Sequence, residues 1–189
     1  MNKIPDQACF DTSQVSPVLQ TQRLILRPLQ PSDATQIYLD WFSDSTVQRF
    51  IAAASERQSL DSLRMFIDRH LSDPASLLLG IFDRGSGLHI GNIKYEPIDF
   101  AMGRAIVGIL IGSTEWRGRA VFSEAFDVSS AWLCSCMGIR EYWLGVEREN
   151  TIAIRGYRRA GFAEAPAPED LFGKIRLNCL YMFKTVDVR

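Results

Sequence analysis

Trp116-Arg117-Gly118-Arg119-Ala120-Val121-Phe122-Ser123-Glu124-Ala125 lies between an apolar run, Ile106–Ile111, and a helical pattern from about Ala120 to Met137. A strand, a tight loop with one glycine and two arginines, then a helix is a way to aim backbone N–H groups and a helix N-terminus at a phosphate. Such a loop is common, so its meaning depends on what surrounds it.

Working outward, the chain alternates between sheet and helix periods. Thr21 to Leu29 reads as a first strand, and Pro31-Ser32-Asp33 as a helix start. Ile37, Tyr38, Trp41 and Phe42 follow at helical spacing, and a short helix is expected over Thr46–Ile51. Leu60, Leu63, Phe66, Ile67 and Leu71 line one face of a further helix. Ser76–Phe82 and Leu88–Tyr95 read as two strands joined by the turn Asp83-Arg84-Gly85-Ser86-Gly87. Pro97–Gly103 is a turn region and Ala105–Ile111 a buried strand. After the long helix come a strand at Glu141–Val146, a helix at Thr151–Ala160 closed by Gly161, and strands at Phe162–Ala165 and Leu177–Lys184. This order predicts an α+β fold with a mostly antiparallel sheet and one parallel crossover around the long helix.

The 189 residues suffice for one domain with a full core. With 47% hydrophobic and 23% charged residues the composition is that of a soluble globular chain. A net charge of −1 gives no general attraction to nucleic acid or to an acidic membrane. Met1–Gln20 has no long apolar core and reads as a flexible N-terminal arm, with a cytoplasmic location expected. Cys9, Cys134, Cys136 and Cys179 form no CxxC pair, and His70 and His89 lie far from them in sequence, so no metal site is expected. The thiols read as buried and reduced. His70 and His89 read as surface residues, and Glu124 as lying on the exposed side of the long helix.

Four segments carry a resemblance. They are Thr21-Gln22-Arg23-Leu24-Ile25-Leu26-Arg27, the stretch Trp41–Phe50, the central strands from Ile90–Lys94 through Ile111-Gly112, and Asn150–Phe162. The last is similar to N-x-x-[AS]-x-x-x-Y-x-x-x-G-F. Together they resemble the GNAT superfamily of acyl-CoA-dependent N-acetyltransferases, most closely its RimJ/RimL-like branch. The resemblance implies a single domain over 21–189, built on a mixed, mostly antiparallel twisted sheet. Helices would cover both faces, and a splayed cleft would take acetyl-CoA. The pantetheine arm would pair near Ile109, Leu110 and Ile111. The pyrophosphate would sit at Arg117, Gly118, Arg119, Ala120, Val121 and Phe122. Tyr157 falls at the position of the general acid, and Asn150 at that of an amide that helps hold the cofactor. The co-substrate would be an amine, either a protein N-terminus or an amino sugar or other small molecule, and the protein a monomer or homodimer.

The sequence departs from the pattern in places. The family's loop usually has small residues where Ala120 and Phe122 stand. Ala120 adds a methyl where backbone should approach phosphate, and Phe122 is far larger than Gly or Ala. Ile106 and Gly145 occupy positions that are acidic in some relatives, so the usual base is missing. Glu96 is the nearest acidic substitute, with Asp99, and a water chain is the alternative. Each site residue also has a structural reading. Asn150 suits a helix cap, Tyr157 an amphipathic helix, Arg117 and Arg119 solvated charges, and Trp41, Phe42 and Phe50 the core. A non-catalytic acyl-CoA-binding or interaction module is the rival to the enzyme.

Overall fold

The structure is a computed structural model that describes residues 17–51, 58–173 and 175–187. Strands β1 (Leu19–Gln20), β2 (Leu24–Pro28), β3 (Leu77–Asp83), β4 (His89–Asp99), β5 (Arg104–Ile111), β6 (Glu141–Glu147), β7 (Ala163–Glu164) and β8 (Cys179–Thr185) form one sheet. Its spatial order is β1-β2-β3-β4-β5-β6-β8-β7. All neighbours run antiparallel except β5 and β6, which are parallel. The helices are α1 (Gln36–Asp40), α2 (Ser45–Phe50), α3 (Leu60–Ser72), α4 (Val121–Met137), α5 (Thr151–Arg159) and α6 (Glu169–Phe172). The α4 helix is the crossover that joins the two parallel strands, as a parallel connection requires.

Two apolar layers form because strand side chains alternate between faces. On one face Leu79, Ile81, Ile93 and Tyr95 pack with Val121, Ala125, Phe126 and Leu133 of α4 and Ile154 of α5. Phe126 is fully buried, worth about 2–3 kcal/mol relative to an exposed ring. Tyr95 brings a hydroxyl into this layer, where it meets Ser129 Oγ at 2.7 Å, so that hydroxyl is satisfied. On the other face Leu78 and Phe82 pack with Tyr38, Trp41, Leu63 and Ile67. Caps set the helix starts. Thr35 caps α1, Asp44 caps α2 through Thr46 N (2.9 Å) and Val47 N (3.1 Å), and Ser59 and Ser62 cap α3 reciprocally.

The parallel pair opens. The β5 and β6 strands pair only at Arg104↔Glu141, Ala105↔Tyr142 and Ile106↔Trp143. The β4 strand holds β5 as far as Gly91↔Ile111, while β8 holds β6 as far as Glu147↔Cys179. Each strand follows its outer neighbour, so past Ile106 the two diverge and the facing edge of β5 has no partner from β6.

Several sequence expectations shift. The first strand is shorter than Thr21–Leu29, because Thr21 turns back to accept from Leu24 N (2.8 Å). The β4 strand runs on to Asp99, past Tyr95, with a register shift between Tyr95 and Ile98. The strand expected at Phe162–Ala165 shrinks to Ala163–Glu164, and α6, for which no helix was expected, lies between it and β8. Most of the expected arm lies outside the described residues, as does Cys9. Leu19 and Gln20 at its end pair with Leu26 and Ile25. Cys134 and Cys179 are buried and unbridged, but Cys136 is exposed.

Candidate functional site

The loop after β5 is shaped by close packing. A Cβ on Gly112 would come within 1.8 Å of the Trp41 ring, so the strand end passes directly under that indole. A turn at Thr114–Trp116 follows, then Gly118 with φ 74° and Ala120 with φ 59° and ψ 23°. Among the described residues Ala120 is the only non-glycine with positive φ. No side chain caps α4, and its first helical bond runs from Glu124 N to Ala120 O (3.2 Å). Among the described residues nothing accepts from the N–H groups of Gly118 through Ser123. Unsatisfied donors at the positive end of a helix form an anion-binding surface.

The two loop arginines differ. Arg117 is consumed inside the protein: Nε donates to Ile111 O (3.0 Å), Nη2 to Gly112 O (3.2 Å) and Nη1 to Asp44 Oδ2 (3.1 Å). It ties the end of β5 to the cap of α2. Arg119 is exposed, its guanidinium 6.0 Å from the Trp116 ring centre, and among the described residues it has no carboxylate partner. The loop is braced from below by Arg23, which donates to Arg119 O (3.0 Å) and to Glu124 Oε2 (2.8 Å through Nε). Glu124 also accepts from Thr21. It is therefore not on an open face, as the sequence suggested. Burial raises its pKa, but the bonds from Thr21 and Arg23 outweigh this and hold it below the usual carboxylate range.

Phe122 does not stand over the loop. Its ring turns inward against Phe126 (5.6 Å between centroids), Phe162 (5.8 Å) and, edge-on, Tyr157 (4.8 Å). Tyr157 is thereby carried on α5 to the first turn of α4. Its hydroxyl takes no partner among the described residues, and burial pushes its pKa up to about 12. Asn150 caps α5 by accepting from Ala153 N (3.1 Å), which leaves its amide N–H₂ without an acceptor among the described residues.

A cavity of about 750 Å³ lies on the α3 face of the sheet, between α2, α3 and the β4–β5 floor. Gly108, Ile109 and Leu110 of β5 border it, and a Cβ on Gly108 would meet nothing within 4 Å. Phe42 and Phe50 line it, so they are walls as well as packing, whereas Trp41 is core. Glu96 lies outside the lining. It accepts from Lys94 Nζ (2.7 Å) and Arg69 Nη1 (2.8 Å), both of which do line the cavity. Burial raises its pKa, yet the two cations win and the carboxyl stays below its ordinary range. Asp99 is engaged by Arg104 Nε (3.1 Å), which also bridges to Asp170 on α6.

Neither histidine stands on the open surface, against expectation: His70 is buried and His89 half-buried. His70 packs edge-on to Phe66 and meets Ser76 Oγ at 2.5 Å; its burial lowers its pKa to about 4. His89 stacks on Phe82, and its Nε2 meets Asn92 Oδ1 at 2.7 Å. Asp44 and Lys94 entered the sequence reading only within the segments Trp41–Phe50 and Ile90–Lys94, with no site role, and Arg69 did not enter it. Their roles are set by folding, which brings Asp44 to Arg117 and Arg69 to Glu96.

No group of three or more His, Cys, Asp or Glu is placed to hold a metal among the described residues, and none of their helices is long and apolar enough to cross a membrane. No curated protein matches the sequence. Solved structures do. The RimL ribosomal L7/L12 alpha-N-protein acetyltransferase in complex with coenzyme A aligns with a TM-score of 0.76 at 13% identity, over 93% of this chain and 100% of that one. The Microcin C7 self-immunity acetyltransferase MccE, in complex with acetyl-CoA and AMP, gives 0.73 at 14% over 88% and 94%. Spermidine N-acetyltransferase from Vibrio cholerae, in complex with CoA and spermine, gives 0.68 at 21% over 87% and 96%. These likenesses establish a shared fold. Residues 23–163 match the acetyltransferase (GNAT) domain family. With its open β5–β6 pair and its uncapped helix behind a basic loop, the chain belongs to the GNAT acetyltransferase family.

Proposed function

We propose that this protein transfers an acetyl group from acetyl-CoA to a primary amine. The observation that carries the reading is the break in the β5–β6 ladder after Ile106↔Trp143, next to the free N–H groups at the start of α4. A pantetheine arm fits the open strand edge at Ile109, Leu110 and Ile111. The pyrophosphate then reaches the N–H groups from Gly118 through Phe122, with Arg119 as the available counter-charge and Arg117 as the brace that holds the loop in place. Asn150 offers its free amide beside the same cleft.

In the reaction the lone pair of a neutral amine attacks the thioester carbonyl carbon. The C–S bond breaks, the nitrogen loses a proton to water, and the departing thiolate gains one. Tyr157 is the donor in this reading. A phenol held near pKa 12 is protonated throughout the neutral range. Glu96 is occupied by two cations and held ionised, so its part is to position Lys94 and Arg69 rather than to take the amine's proton. Among the finer acceptors, a small-molecule amine suits the apolar cavity of about 750 Å³ better than a folded protein's terminus. A cytoplasmic monomer or homodimer suits the co-substrate.

A non-catalytic acyl-CoA-binding module is the rival. Ala120, Phe122 and the missing base favour it, but the Phe122 ring packs inward against Phe126, Phe162 and Tyr157. Thermal unfolding with coenzyme A tests the binding step, because a hundredfold excess over Kd adds about 2.7 kcal/mol. Release of free thiol from acetyl-CoA with a panel of amines tests the transfer. No stabilisation at millimolar coenzyme A would end the proposal, and binding without turnover would favour the rival.

A further inference from the structure

The cavity that borders β5 carries a charge imbalance. Its walls are apolar, from Phe42, Phe50, Met65, Phe66 and Leu110. Its charged lining among the described residues is Lys94 and Arg69. Both bind the same carboxylate, Glu96, at 2.7 and 2.8 Å, and no other described carboxylate lies within ion-pair reach of either. His70, 3.8 Å from Glu96, does not add an anion and is neutral at pH 7 because burial lowers its pKa to about 4. Among the described residues one positive charge is thus left over at the cavity wall. The Lys94 side chain is 33% exposed and that of Glu96 20%, so the pair is only partly screened by water.

Resting on the acetyltransferase reading, we propose that the acceptor is an amine with an apolar or aromatic body and an anionic group, carboxylate or phosphate, that docks on Lys94 and Arg69. The aromatic walls bury the body. The Arg69 guanidinium and Lys94 ammonium take the anion by charge-assisted hydrogen bonds. The same surplus charge works against an ammonium ion, which suits a reaction whose nucleophile is the neutral amine. It also disfavours polyamines, whose several cations would meet no carboxylate on the described walls.

Matched acceptors of similar amine basicity test this. Tyramine phosphate is compared with tyramine, and para-(aminoethyl)benzoate with its carboxamide; spermidine serves as the polycation. The anionic member of at least one pair is expected to exceed its neutral partner by about tenfold in kcat/KM, mostly through KM. The phosphate pair and the carboxylate pair separate the two sources of negative charge. Arg69→Gln and Lys94→Gln should each shrink that preference toward parity, with the stabilisation by coenzyme A retained as a check on folding. Arg69 lies on an exposed helix face, so its variant tests the idea even where Lys94→Gln folds poorly. Equal rates within both pairs, spermidine as the best acceptor, or a preference untouched by both variants would overturn the proposal. So would a panel on which nothing is acetylated. In that last case, coenzyme A stabilisation measured alongside shows whether the acetyltransferase reading has failed as well.

Discussion

Replacing Ala120 by glycine should stabilise the protein. Ala120 holds φ 59° and ψ 23°, in the left-handed region, at the residue before α4. An alanine there costs about 1–2 kcal/mol through contact between its Cβ and the backbone. Glycine removes that cost but adds about 0.4–1 kcal/mol of chain entropy to the unfolded state. The methyl is exposed, so little packing is lost. The net gain is about 0.5–1 kcal/mol, or about 1–4 °C in Tm for a chain of this size. Thermal and urea unfolding of the two proteins without ligand measure it. Coenzyme A titration gives a second readout, because the lost methyl stands beside the N–H groups assigned to the pyrophosphate, and glycine should bind at least as tightly. A lower Tm for Ala120→Gly would refute the strain argument. Weaker coenzyme A binding would mean that the alanine pre-orders the loop.

Tyr157→Phe should lower kcat by about 10²–10⁴-fold and leave coenzyme A affinity nearly intact, as steady-state rates and calorimetry would show; wild-type turnover would make the tyrosine structural. Phe122→Ala should destabilise by about 2 kcal/mol, less than for a fully enclosed ring, and should slow turnover because Tyr157 loses its edge-on neighbour at 4.8 Å. Tighter coenzyme A binding in that variant would instead mean that the ring obstructs the loop. His70 is held neutral in the folded state down to pH about 4, against 6.5 unfolded, so the unfolded chain binds the extra proton in that window. Stability should therefore fall as pH drops from 6.5 toward 4, and His70→Gln should flatten that part of a denaturation-against-pH curve.

The alternation of apolar runs with helical spacing, the turn at Asp83–Gly87 and the Asn150 cap are local signals, and each appears in the structure where the spacing put it. So does the parallel crossover, because a strand, a 17-residue helix and a second strand supply the long connection that a parallel pair requires. Element ends were less legible. Thr21 and the shift between Tyr95 and Ile98 depend on partners across the sheet, not on neighbours along the chain. The residue types between Gly112 and Ala120 were readable as a basic glycine loop ahead of a helix, but which arginine remains free was not.

By itself the sequence determined the fold class, the order of the elements apart from β1 and α6, and the placing of Tyr157 on the helix that Asn150 caps, since these follow from periodicity and from contacts within a few residues. Only the tertiary structure decided which side chains are already spent. Arg117 is committed to Ile111, Gly112 and Asp44, Glu124 to Thr21 and Arg23, and Phe122 to the aromatic cluster around Tyr157. The same holds for Lys94 and Arg69, which share Glu96 at the wall of one cavity, and for the two histidines that turned inward. The physical reason is that a charge or a ring takes its role from what lies across the sheet. Asp44 and Arg117 are 73 residues apart in sequence, and no local pattern encodes their meeting.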